Sequence, residues 1–95
     1  MVTDMKDRRE WVRMKCRARS GRTAEMKVLD ISAGGTMVEY HGWSAQPGER
    51  ILATLPGLEP QPATLVWAED ERAGIAFEVP LHETVLDRYV ALVKG

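Results

Sequence analysis

Val28-Leu29-Asp30-Ile31-Ser32-Ala33-Gly34-Gly35 is an apolar run closed by an aspartate, a serine two residues on and a pair of glycines. Asp and Ser carry short oxygen acceptors that bond nearby backbone or the edge of a ligand. Paired glycines let the chain turn sharply or bring its backbone close to something bulky. On these residues alone the stretch reads as a strand ending in an Asx-type turn. Upstream, Met26 and Val28 alternate with Glu25 and Lys27, which sets the strand over residues 24–31. Leu29 and Ile31 then occupy the Glu25/Lys27 face, and this predicts a strand covered on both sides near the turn.

The flanking sequence repeats the pattern. Residues 14–19 alternate as a first strand, followed by the turn Ser20-Gly21-Arg22. Residues 36–40 form a third strand, and a loop over 41–48 holds Gly42, Ser44, Pro47 and Gly48. A fourth strand, 50–55, ends at Pro56-Gly57. Pro60 and Pro62 mark the entry to a fifth, 63–68, and Glu69-Asp70-Glu71-Arg72 connects it to a sixth, 74–79. Six short strands with no helix between them predict a small antiparallel barrel or sandwich. After Pro80 the period changes: Val85, Leu86, Tyr89, Val90, Leu92 and Val93 recur at helical spacing over residues 82–93. A helix of this length is marginal alone, so it must pack on the sheet.

Composition sets the bounds. A chain of 95 residues, 44% hydrophobic and 28% charged, is one ordinary globular domain. No apolar run approaches the ~18 residues of a membrane span, and Met1-Val2-Thr3-Asp4-Met5-Lys6-Asp7 is too polar for a signal peptide. The lone Cys16 cannot form an internal disulfide, which suits a reducing cytoplasm. The net charge of −1 hides an asymmetry, because residues 1–22 carry +5 and the remainder −6. A basic N-terminal segment on an acidic body points to an anionic partner, or to attraction between the two parts.

Ahead of the first strand stands Arg8-Arg9-Glu10-Trp11-Val12-Arg13. Arg9-x-x-x-Arg13 followed by Asp30-x-Ser32-x-x-Gly35 resembles the paired signature of the PilZ family of bacterial cyclic di-GMP receptors. Pro47-Gly48-Glu49-Arg50, Ala63-Thr64-Leu65-Val66-Trp67 and Ala73-Gly74-Ile75-Ala76-Phe77-Glu78 resemble the later strands of that domain. The resemblance implies a six-stranded β-barrel with one C-terminal helix over residues 10–95, preceded by a flexible basic segment, 1–9. It also implies that cyclic di-GMP is the ligand, with no other cofactor, and that an effector protein receives the signal. The 16 residues between Arg13 and Asp30 are few for this family, so the first hairpin must be tight. Arg13 and Arg17 are also four apart; Arg9/Arg13 is preferred because alternation has already begun at Met14.

The residue types suit that ligand. Arg offers a plane that stacks on a purine and a fork that grips phosphate or the guanine O6/N7 edge. A carboxylate at Asp30 accepts from guanine N1–H and N2–H₂, groups that adenine does not present. Ser32 can bond a base or phosphate edge, and Gly35 with Gly34 would leave room for the base. By resemblance, Arg9 and Arg13 carry stacking and phosphate contacts, while Asp30, Ser32, Gly34 and Gly35 read guanine. Arg8 is a third contact and leans toward an intercalated ligand dimer. The N-terminal segment is expected to order over the ligand and alter contact with the partner.

Other residues weigh less. Trp67 follows Leu65 in the fifth strand and reads as core. Trp43 reads as a half-exposed loop residue, and Trp11 as a staple between the arginines. His41 and His82 are far apart with no Cys/His cluster, which argues against a metal site. Ser32 lacks a nucleophile elbow, and Cys16 has no nearby His, so no enzyme is expected. Two other readings stay open: a PilZ interaction module that binds no nucleotide, and a small barrel binding single-stranded nucleic acid through its basic arm. The second wants exposed aromatics among the cations, and the strands do not supply such an array.

Overall fold

A computed structural model describes residues 12–94. Arg8, Arg9 and Trp11, and the expectation of a flexible segment over 1–9, lie outside the described residues. Six strands precede one helix: β1 (Arg13–Arg17), β2 (Thr23–Ser32), β3 (Gly35–Glu39), β4 (Arg50–Thr54), β5 (Gln61–Glu69), β6 (Arg72–Phe77) and α1 (Glu83–Lys94). The strands close a barrel in the order β1-β2-β3-β6-β5-β4, with every neighbouring pair antiparallel. This is the barrel with a C-terminal helix that the sequence predicts, its element ends displaced by one or two residues.

Alternation fills the interior. Met14 and Cys16 of β1, Ile51 and Ala53 of β4, and Ala73, Ile75 and Phe77 of β6 all face the core. Thr36 is buried with them, its hydroxyl 3.8 Å from Met14 Sδ. Residues 18–22 close β1 onto β2, with Gly21 at a φ of 96°, so the first hairpin is as tight as the sequence requires. The helix α1 begins where His82 Nδ1 accepts the Thr84 N–H at 3.2 Å. It packs on β2 and buries Tyr89 and Val93 in the barrel core, and the Tyr89 hydroxyl donates to the Pro56 carbonyl. No helix among the described residues is long and apolar enough to cross a membrane.

The ladders depart from regularity at two places. Pairing shifts between Val28 and Asp30 in β2, and between Leu65 and Trp67 in β5. Leu29 and Val66 are therefore the extra residues of two β-bulges. This corrects the expectation for β2. Ile31 is not on the Glu25/Lys27 face; the bulge returns it to the core beside Val28, 4% exposed, and leaves Leu29 half-buried.

The β5–β6 connection is a two-residue turn in which Asp70 and Glu71 have φ of 54° and 63°. Left-handed backbone costs an L-residue about 1–2 kcal/mol, and hairpin turns of this kind favour glycine at the second position. Glu71→Gly relieves that cost but gives the unfolded chain more freedom. The expected net gain is about 0.5 kcal/mol, a rise of a few degrees in the thermal midpoint followed by circular dichroism.

Burial pushes the Cys16 thiol up to about 12. A thiol held neutral in the fold but free to ionise near its usual value when unfolded stabilises the protein below pH ~9. That stability is lost as pH rises toward 12. Denaturant melts across this window should show the loss, and Cys16→Ala should flatten the pH dependence.

Candidate functional site

The two bulges decide which side chains leave the barrel. Met26 and Val28 face the core, so unbroken alternation along β2 would carry Asp30 and Ser32 inward as well. A carboxylate in that apolar interior would cost on the order of several kcal/mol. The extra residue at Leu29 shifts the phase, and Asp30 and Ser32 emerge exposed on the outer face. β5 does the same. Ala63 and Leu65 face the core, Val66 is the extra residue, and Trp67 emerges 38% exposed.

Strand register lines these side chains up. Asp30 pairs with Met37, Met37 with Gly74, and Gly74 with Trp67, giving one outer-face row across β2, β3, β6 and β5. The next outer row runs Ser32, Gly35, Ala76 and Thr64. A groove of about 350 Å³ lies along them, with Asp30 and Ser32 at its polar end and Val66 and Trp67 at its apolar end. The Trp67 ring rests on Gly74: a Cβ there would lie 2.6 Å from Trp67 Cε2. Any larger residue at 74 would lift the ring off the sheet.

The polar end is held by backbone. Asp30 Oδ1 accepts the Ile31 N–H at 2.9 Å, and the Ser32 hydroxyl donates to the Gly35 carbonyl at 3.4 Å. The Gly34 carbonyl accepts from Phe77 N–H at 2.9 Å, and that of Ala33 from Leu81 N–H at 2.8 Å. The turn is thus tied to the end of β6 and to the segment leading into α1. A carboxylate and a hydroxyl each accept more than one hydrogen bond, so capping the turn does not by itself preclude contact with a ligand.

The glycines need a different account from the one the sequence suggests. A Cβ on Gly35 would collide with the Ile75 carbonyl oxygen and lie 3.2 Å from Ala76 Cα. Gly35 is therefore required by the close approach of β3 to β6, within the protein itself. Gly34 faces open space: a Cβ added there would meet nothing within 4 Å, so this glycine lines the groove without being forced by packing.

Arg13 opens β1 opposite Lys27 on the same outer face. Lys27 precedes Asp30 by three residues, about 10 Å along the strand. Arg17 pairs with Thr23, roughly 23 Å from Asp30 on the same measure. The structure so gathers Asp30, Ser32, Gly34 and Gly35 on one groove, with Arg13 near it and Arg17 at the far end of β1. His41 lies 3.6 Å from Glu39, and His82 caps the helix.

Trp67, Met37 and Gly74 complete the groove, and sequence reasoning missed them. Trp67 is not a core residue, because a bulge separates it from Leu65 and reverses its phase. Counting instead from the two-residue turn places Trp67 opposite Gly74, and Gly74 alternates with the inward Ala73 and Ile75. A large aromatic facing a cross-strand glycine was the available signal. Trp43 is half-buried against the core, as its loop position suggested.

The family model described as PilZ domain matches residues 6–95, nearly the whole chain. No match to a curated protein was found.

Proposed function

The chain belongs to the PilZ domain family, and on that footing we propose that it is a cyclic di-GMP receptor that passes the signal to a partner protein. The family is one of cyclic di-GMP-binding and adaptor domains. The observation that carries the reading is the outer-face row from Asp30 to Trp67, with Ser32 in the next row and Arg13 nearby. In this reading the Asp30 carboxylate accepts from guanine N1–H and N2–H₂, and Ser32 bonds the base or phosphate edge. The floor of Gly35 and Ala76 lets a flat base lie close to the sheet, and Trp67, seated over Gly74, bounds it with an aromatic face. Arg13, with Arg8 and Arg9, neutralises the phosphates and stacks on the second guanine.

The placement of Arg17 at the far end of β1 favours Arg9/Arg13 as the operative pair. The ordering of the N-terminal segment over the ligand then supplies the change that a partner senses.

Isothermal titration of cyclic di-GMP tests this, beside an Arg9→Ala/Arg13→Ala variant and with GTP as control. Saturable binding that the variant loses is expected, and the stoichiometry separates a monomeric from a dimeric ligand. Absence of binding well above micromolar concentration would leave the nucleotide-independent interaction module as the better account. Amide exchange at residues 5–14 should slow on ligand addition; unchanged exchange there would remove the switch.

A further inference from the structure

A second groove lies on the outer face of β1, β4 and β5, away from the Asp30–Trp67 row. Arg17 pairs with Leu52, and Leu52 with Pro62, so these three form one outer-face row. With Arg19 and Arg50 they line a groove of about 490 Å³, larger than the first. Leu52 is 42% exposed although its neighbours Ile51 and Ala53 are buried.

The groove exists because the seam between β1 and β4 is short. Pairing runs only from Lys15↔Thr54 to Arg17↔Leu52. Beyond it, the Ala18 N–H turns to the Arg22 carbonyl, and the Arg19 N–H reaches the Glu49 carboxylate at 3.4 Å instead of β4 backbone. The two strands diverge there.

Its charge is mainly basic, although the Glu49 and Glu78 carboxylates lie at its edge and Lys15 stands opposite Glu25 across the strands. Arg50 is held by Glu78 at 2.6 Å. Lys15, Arg17 and Arg19 form no ion pair among the described residues. An isolated exposed leucine needs no explanation. One set between cations, on an open strand seam, has the form of an apolar anchor point with an electrostatic rim.

We propose that this groove docks an acidic segment of a partner protein, with an apolar side chain of that segment seated on Leu52 and Pro62. Carboxylates flanking the anchor meet Lys15, Arg17 and Arg19. A nucleic acid would also satisfy the charge, but the groove's lining holds no aromatic side chain on which a base could stack. The proposal stands apart from the nucleotide site, and its test omits cyclic di-GMP, so the two readings fail separately.

The probe is a synthetic hexapeptide with two acidic residues on each side of a Leu-Phe pair, titrated into the ¹⁵N-labelled full chain and followed by amide shifts. Shifts confined to residues 15–19, 50–53, 61 and 63, the last two flanking Pro62, are expected. Leu52→Asp and Arg17→Glu, both outer-face changes whose folding is checked by thermal melting, should each weaken binding at least ~10-fold. The proposal is overturned by no shift up to about 1 mM peptide, or by shifts at the Asp30–Trp67 row instead. Equal binding of a peptide with lysines replacing the acids, or stronger binding of an oligothymidylate, also overturns it.

Discussion

Asp30→Asn is expected to weaken cyclic di-GMP binding by about 1.5–3 kcal/mol, roughly 10- to 150-fold, with little change in stability. The two consequences separate because the proposed guanine contact is distinct from the bond the side chain makes within the turn. Its Oδ1 accepts the Ile31 N–H at 2.9 Å, and an amide oxygen can take over that bond. Toward guanine the substitution is harsher. The N1–H and N2–H₂ groups are both donors, and an amide offers one acceptor and one opposing donor where the carboxylate offers two acceptors. Calorimetric titration and a denaturant melt of the same sample read both effects. Full affinity in the variant would remove Asp30 from the guanine contact. A loss of stability matching the loss of affinity would reduce it to a turn residue.

Gly35→Ala should lower stability by about 2–3 kcal/mol, a large share of what a domain of this size possesses. The added methyl meets the Ile75 carbonyl and Ala76 Cα, which are backbone atoms of a paired strand and cannot rotate aside. β3 and β6 would have to separate, and the floor of the groove would move with them. Gly34→Ala is the control, because the space beside it is open; its stability should change by less than about 0.5 kcal/mol. Urea unfolding of both variants distinguishes the accounts. If Gly35→Ala unfolds like the unsubstituted chain and loses only its ligand, the glycine serves the ligand and the packing argument is wrong.

Much of this protein was written locally. The period-two alternation of Met14 and Cys16 or of Ile51 and Ala53, the punctuation by Gly21 and by Pro56-Gly57, and the helical spacing from Val85 to Val93 each depend on neighbours a few residues away. Such patterns define elements without reference to the rest of the chain, so six strands and a closing helix were legible. The motif residues Asp30, Ser32 and Gly35 could also be picked out by type and spacing.

Their orientation could not. A bulge forms where closing a barrel demands that two strands of unequal length keep their registers. That demand arises only when β2 meets β3 and β5 meets β6. The extra residues Leu29 and Val66 look like ordinary strand residues in the sequence. Yet they turn Asp30 and Trp67 outward onto one row from positions 37 residues apart. The seam beside Leu52 is likewise a product of closure, since β1 and β4 meet only when the barrel shuts. Local chemistry determined the elements and named the polar residues of the site; the geometry of closure decided which way they face.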